Sequence, residues 1–188
     1  MYIKKTLLYE ERDEKKRAEF LKEIAEYNSE DIVYVDESGI DQNLVKDSCW
    51  TFKGNNVIGN KSSGRRQRIS IISGLIKNKF IAPFRFFGHT DTILFIHWLE
   101  KVLLPELIPG KVVVIDNASF HKSHKVRDLI EKNGCKLIYL PPYSPDLNPI
   151  EHHWADLKKL FKKVHHEFDE FLDAIDFSIT QKSGTYLS

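Results

Sequence analysis

The chain has 188 residues, 41% of them hydrophobic, with 28 lysines and arginines against 27 acids. That length can bury one core and suits a single α/β domain, and the near balance of charge excludes a nucleic-acid partner drawn in by bulk charge, leaving only local patches. Nothing reads as a signal peptide or as an apolar run long enough to span a bilayer, and Cys49 and Cys135 sit in apolar, strand-like contexts that suit reduced core residues of a cytosolic protein.

Residues 1–30 are dominated by ERDEKKRAEFLKEIAEY, a highly charged helix with Phe20, Leu21, Ile24 and Ala25 on a narrow apolar stripe. It reads either as a solvated surface helix or as a linker joining an upstream domain. DIVYVDE, from Asp31 to Glu37, is the first strand, and Asp36 stands at its end. Strand alternation points Glu37 to the opposite face from Asp36, which suits a structural role. Residues 41–52 and 68–76 read as a second and a third strand, joined by the turn-rich KGNNVIGNKSSGRRQ. Lys61, Arg65, Arg66 and Arg68 lie in or beside that connection with no acid among them, so it is either a solvated hairpin or a set of phosphate contacts to DNA. Lys79 to Phe87 reads as an edge strand, because Pro83 cannot donate to a central ladder. Thr90 to Leu104 is a helix with Ile93, Leu94, Ile96, Trp98, Leu99, Val102 and Leu103 on a wide apolar face, stopped by Pro105.

The most informative stretch runs from Lys111 to Trp154. Val112 to Ile115 is an unbroken β-branched run, as expected of a strand buried on both faces, and it ends in Asp116. Ser123 can cap a helix carrying Val126, Leu129 and Ile130, and Asn133-Gly134 supplies its left-handed stop before a second apolar run, Cys135 to Leu140. Pro141-Pro142 then breaks the chain. Asn148 offers an N-cap, Pro149 fits the first helical position, and Trp154, Leu157, Phe161 and Val164 continue the helix at apolar spacing. Glu151 lies three residues before Trp154 and so points to the same side. It reads either as a capping-box glutamate closing on Asn148 or as an acid presented to the sheet edge.

Asp36 shifts the balance between these. Two buried strands finish in aspartate, and parallel neighbours lie about 4.8 Å apart, close enough for their carboxylates to share a cation. Glu151 could close such a site from the side. Three clustered carboxylates repel one another unless a cation compensates them, and oxygen-only ligands favour Mg²⁺ or Mn²⁺ over zinc. His121 with His124, or His152 with His153, does not complete a tetrahedral zinc set.

Asp36-Glu37, the Asp116-Asn117 pair followed by His121, and above all YSPDLNPIEHHW resemble the catalytic domain of DDE transposases of the mariner superfamily, bacterial insertion-sequence members in particular. Between Asp116 and Glu151 stand 34 residues, which agrees with that family, and the resemblance covers residues 30–165. It implies an RNase H-like fold with a central mixed five-stranded sheet and helices on both faces. It also implies a catalytic and metal-binding set of Asp36, Asp116 and Glu151 holding two Mg²⁺ or Mn²⁺, with Asp36 bridging both ions, Asp116 and Glu151 each holding one, and no protein nucleophile. The implied activity is DNA cleavage at transposon ends and strand transfer into target DNA at TA sites, by a homodimer on DNA in the bacterial cytoplasm, associated with the nucleoid.

Asn117 and His121 are candidates for positioning phosphate or second-shell water, although a loop histidine before a helix is as often exposed. Asp146 could pass for the third ligand, since some relatives use aspartate there, but Glu151 fits the spacing better. Lys158, Lys159, Lys162 and Lys163 either track DNA or solvate the last helix. The expected organisation is a linker helix region over 1–30, a catalytic domain over 31–167, and a C-terminal helix and frayed tail over 168–188. Residues 1–30 leave no room for the helix-turn-helix region that reads inverted repeats in the family. The chain is therefore expected to be a catalytic half completed by an upstream domain or a separate subunit, or else a truncated, non-catalytic remnant. An RNase H-type nuclease acting on hybrids is a third reading.

Overall fold

The computed structural model describes residues 11–41 and 68–183. Strand β1 (Ile32–Asp41) pairs antiparallel with β2 (Arg68–Ile76) and parallel with β4 (Val112–Ile115). β2 pairs antiparallel with β3 (Lys79–Phe87), and β4 pairs parallel with β5 (Lys136–Tyr139). The five strands stand in the order β3-β2-β1-β4-β5, a mixed sheet with β1 at its centre. Val112 to Ile115 have no exposed surface, as their β-branched run requires. β3 is the edge strand that Pro83 anticipates. Lys77 and Asn78, both at positive φ, close the two-residue hairpin between β2 and β3, whose twist such a turn matches.

Helices cover both faces, and strand alternation decides what they cover. Val33, Val35, Val113 and Ile115 face α2 (Thr92–Trp98) and α3 (His124–Lys132). On the opposite face Ile69, Ile71 and Leu75 pack on α4 (Ile150–Val164) and α5 (Phe171–Ser183). Ile32, Val112 and Val114 share that side with Phe20 of α1 (Glu14–Ile24). The charged N-terminal helix is thus docked through Phe20, 5% exposed, while Leu21 of the same stripe is 49% exposed. Among the described residues no helix is long and apolar enough to cross a membrane.

Several local expectations hold. The Ser123 hydroxyl accepts from the Val126 N–H at 3.3 Å and caps α3, and Gly134 takes φ +73 where the helix stops. Trp154, Leu157, Phe161 and Val164 are all buried along α4. Others fail for physical reasons. Asp91 rather than Thr90 caps α2, and α2 passes into a π turn over Leu99–Leu103. The inserted residue moves the buried face beyond it from Val102 to Leu103 and Leu104, whereas Ile93, 80% exposed, lies off the face that Phe95, Trp98 and Leu99 share at ordinary helical spacing. β1 extends to Asp41, so the second expected strand begins inside it, and residues 42–52 lie outside the described residues. Over 168–188 the expected C-terminal helix is α5, with Ala174, Ile175 and Ile179 buried and Asp176 paired to Arg85 at 2.5 and 2.9 Å, so residues 168–183 are not a frayed tail, and residues 184–188 lie outside the described residues.

Candidate active site

The register that builds the sheet also sets the first two carboxylates side by side. Val35 stands opposite Ile115 in the parallel ladder, so Asp36 and Asp116 are next in line, the latter just where β4 stops. Alternation sends both toward the α4 face, with Tyr34 and Val114, and sends Glu37 the other way. Asp36, Asp116 and Glu151 border one cavity of about 400 Å³, whose far wall is formed by the loop from Leu140 to Pro145 together with Asn148.

The two aspartates differ in their surroundings. Asp116 accepts from the Ala118 N–H at 2.9 Å and contacts His121 Nδ1 at 2.5 Å. Burial acts against its ionised form, but these contacts outweigh it and hold the carboxyl below its usual range. His121 is fully buried, and its Nε2 meets Glu37 Oε1 at 3.2 Å. Burial opposes the imidazolium, yet the two carboxylates outweigh it and push the group up to about 9. Among the described residues no such cation meets Asp36. Burial first, then the neighbouring charges of Glu151, Glu37 and Asp116, push it up to about 8. Its only side-chain hydrogen bond among the described residues comes from the Trp154 indole N–H, at 3.1 Å.

Glu151 is exposed on the first turn of α4 and forms no capping box. A 3₁₀ turn over Pro145–Leu147 runs almost directly into the helix, so the Asn148 carbonyl, not its side chain, receives the Glu151 N–H at 3.2 Å. Among the described residues the buried Asn148 Oδ1 meets no hydrogen-bond partner. Asp146 does not border the cavity; Arg12 and Arg17 of the N-terminal segment hold it at the surface. Asn117 donates to the Leu140 carbonyl and clasps the end of β4 to the end of β5.

The histidine that could equally have been exposed is therefore a buried clamp between two acids. Arg68 opens β2 opposite Asp41 and borders a second, smaller cavity with Glu37, Ser38 and His89, while Lys61, Arg65 and Arg66 lie outside the described residues. Lys122, which no spacing signal marks, joins the main cavity beside the carboxylates.

Among the described residues no three acidic, histidine or cysteine side chains converge tightly enough to enclose a metal ion. The donor chemistry nonetheless fits a hard divalent cation: three carboxylates border the cavity, and among the described residues only Asp116 is paired with a cation.

Residues 31–173 match the family model described as DDE superfamily endonuclease. Over 84 residues the chain is 33% identical to the Tcb1 transposable-element transposase of Caenorhabditis briggsae, a match spanning 43% of this chain and 31% of that protein. The structure is similar to the Mos1 strand transfer complex, with a TM-score of 0.66 and 17% identity over 98% of this chain and 59% of that one. It is also similar to the Mos1 mariner paired end complexes with Mn and with Mg, each at a TM-score of 0.59 and 15% identity over all of this chain and 68% of theirs. At such identities the structural likeness shows the fold, the RNase H-like arrangement that the motifs imply. The chain spans less than two thirds of the Tcb1 protein and of the Mos1 chain in the strand transfer complex.

Proposed function

The chain belongs to the DDE superfamily endonucleases, and from that premise we propose that it is the catalytic domain of a transposase, cutting DNA at transposon ends and joining them to target DNA. The observation that carries this reading is the meeting of Asp36, Asp116 and Glu151, from two adjacent strands and a helix far apart in sequence, on one cavity. Asp36, Asp116 and Glu151 would hold two Mg²⁺ or Mn²⁺ ions. When bound, such a pair supplies an activated water or 3′-hydroxyl and stabilises the leaving 3′-oxygen in an in-line displacement at phosphorus.

The chain's own residues do the rest. His121, held by Glu37, keeps Asp116 ionised and turned toward the cavity. Asn117 fixes the end of β4 that carries it. Lys122 brings a positive charge to the cavity mouth, suited to a phosphate oxygen. Arg68, with Lys61, Arg65 and Arg66, would contact phosphates of the DNA backbone. Recognition of inverted repeats, a TA target and a dimeric assembly on DNA belong to the same reading, with a helix-turn-helix region or a separate subunit reading the ends.

The test is nicking of supercoiled plasmid in Mn²⁺ and in Mg²⁺. The wild-type chain is expected to nick and Asp116→Asn is not, while the two give the same circular dichroism. Equal nicking by the variant would refute the assignment.

A further inference from the structure

Besides Glu151, helix α4 brings a second group to Asp36. The Trp154 indole is 2% exposed and stacks on Phe80 of β3, with ring centroids 4.6 Å apart and 29° between planes. Phe80 is itself 1% exposed, so packing fixes the plane of the indole and the direction of its one donor. That donor meets Asp36 Oδ2 at 3.1 Å. Glu151 and Trp154 stand three apart on α4, where helical geometry puts them on one side. A single rigid helix therefore presents one carboxylate and orients another.

We propose that Trp154 is a positioning residue: its indole N–H fixes Oδ2 of Asp36, and with it the orientation in which this carboxylate receives a divalent cation. The proposal rests on the reading of Asp36 as a metal ligand. It divides the support of the two aspartates between two devices, the His121 clamp on Asp116 and the Trp154 donor on Asp36. It also makes α4 the element whose seating on the sheet sets the relation of Asp36 to Glu151. A ring filling the core would need only its shape; a positioning residue needs its N–H.

The experiment separates those two by titrating Mn²⁺ alone, calorimetrically, into the wild type, Trp154→Phe, and a chain with benzothienylalanine at 154, which keeps the fused rings and replaces N–H by sulfur. Loss of a group that orients a metal ligand typically weakens binding about 10–100-fold, and that loss is expected in both variants. Affinity equal to wild type in the benzothienyl chain overturns the proposal, even if Trp154→Phe is weakened, because the ring alone would then be sufficient. No Mn²⁺ binding by the wild type would overturn the metal reading and the proposal together, whereas binding unaffected by the isostere overturns the proposal alone. The contact has its own metal-free check. The indole N–H resonance that disappears in Trp154→Phe is expected to move in Asp36→Asn, and an unmoved resonance contradicts the contact.

Discussion

Asp36 and Asp116 are one strand apart, yet their environments are opposite in sign. Asp116 sits against a buried imidazolium and a backbone N–H and is held below the ordinary carboxylate range, while burial and the charges of three nearby acids outweigh the donors to Asp36 and push it up to about 8. The site is thus compensated on one side only. A carboxylate with its own cation is ionised and oriented before any ligand arrives; one without it gains its charge when a divalent ion enters. On the proposed reading, Asp116 is preorganised for the ion, whereas at neutral pH Asp36 releases a proton as the ion binds.

The largest effect is expected from removing the charge on the compensated side. Asp116→Asn is expected to lower metal-dependent DNA cleavage on the order of a thousandfold, since several kcal/mol of transition-state stabilisation depend on such ligands. Single-turnover cleavage assays measure it. Next in size is His121→Gln, which leaves Asp116 without its clamp. Mn²⁺ affinity in calorimetry is expected to fall about 10–100-fold.

The pH dependence of stability sharpens the contrast further. A carboxyl raised in the folded state contributes its full stability below the unfolded value of 3.8 and loses it as pH rises toward about 8; His121 likewise loses its contribution as pH climbs from 6.5 through about 9. Asp116, lowered, acts in the other direction and loses its contribution only on acidification. Without metal, Tm is therefore expected to fall between pH 5 and pH 9. Asp36→Asn should show a shallower fall and a Tm above wild type at pH 8, and Mn²⁺ should restore the wild type there. Scanning calorimetry across that range would contradict the account if the two proteins ran parallel. The smallest effect belongs to the other acid of the S-P-D-L-N-P-I-E run. Asp146→Ala breaks a surface contact to Arg12 and Arg17, worth about 1 kcal/mol or less in chemical denaturation, and leaves Mn²⁺ affinity unchanged.

What could be read in the sequence follows from the range of the signal. The Val112–Ile115 run with Asp116 at its end, the Pro83 edge strand and the Ser123 cap are local patterns, and each appears as written. The specific loop-helix motif, not any periodicity, singled out Glu151. The misses are of another kind. The burial of His121 depends on Glu37, 84 residues away, and the donor to Asp36 lies 118 residues along the chain. The π turn after Trp98 displaced a helical face that a constant 3.6 period could not follow. Asn148 had the right identity for a cap, but the 3₁₀ turn before it gave that place to its carbonyl. The apolar spacing of Phe171, Ala174, Ile175, Ser178 and Ile179 was present in the tail, but it is the packing on α4 and the Arg85 pair that make it a helix of the core.

The most direct test of the central claim is a calorimetric titration of Mn²⁺ into the wild type and Asp36→Asn, without DNA. The account predicts binding by the wild type that disappears in the variant. Equal binding by the two proteins, or none by either, would contradict the claim that the uncompensated carboxylate and its neighbours form a divalent metal site.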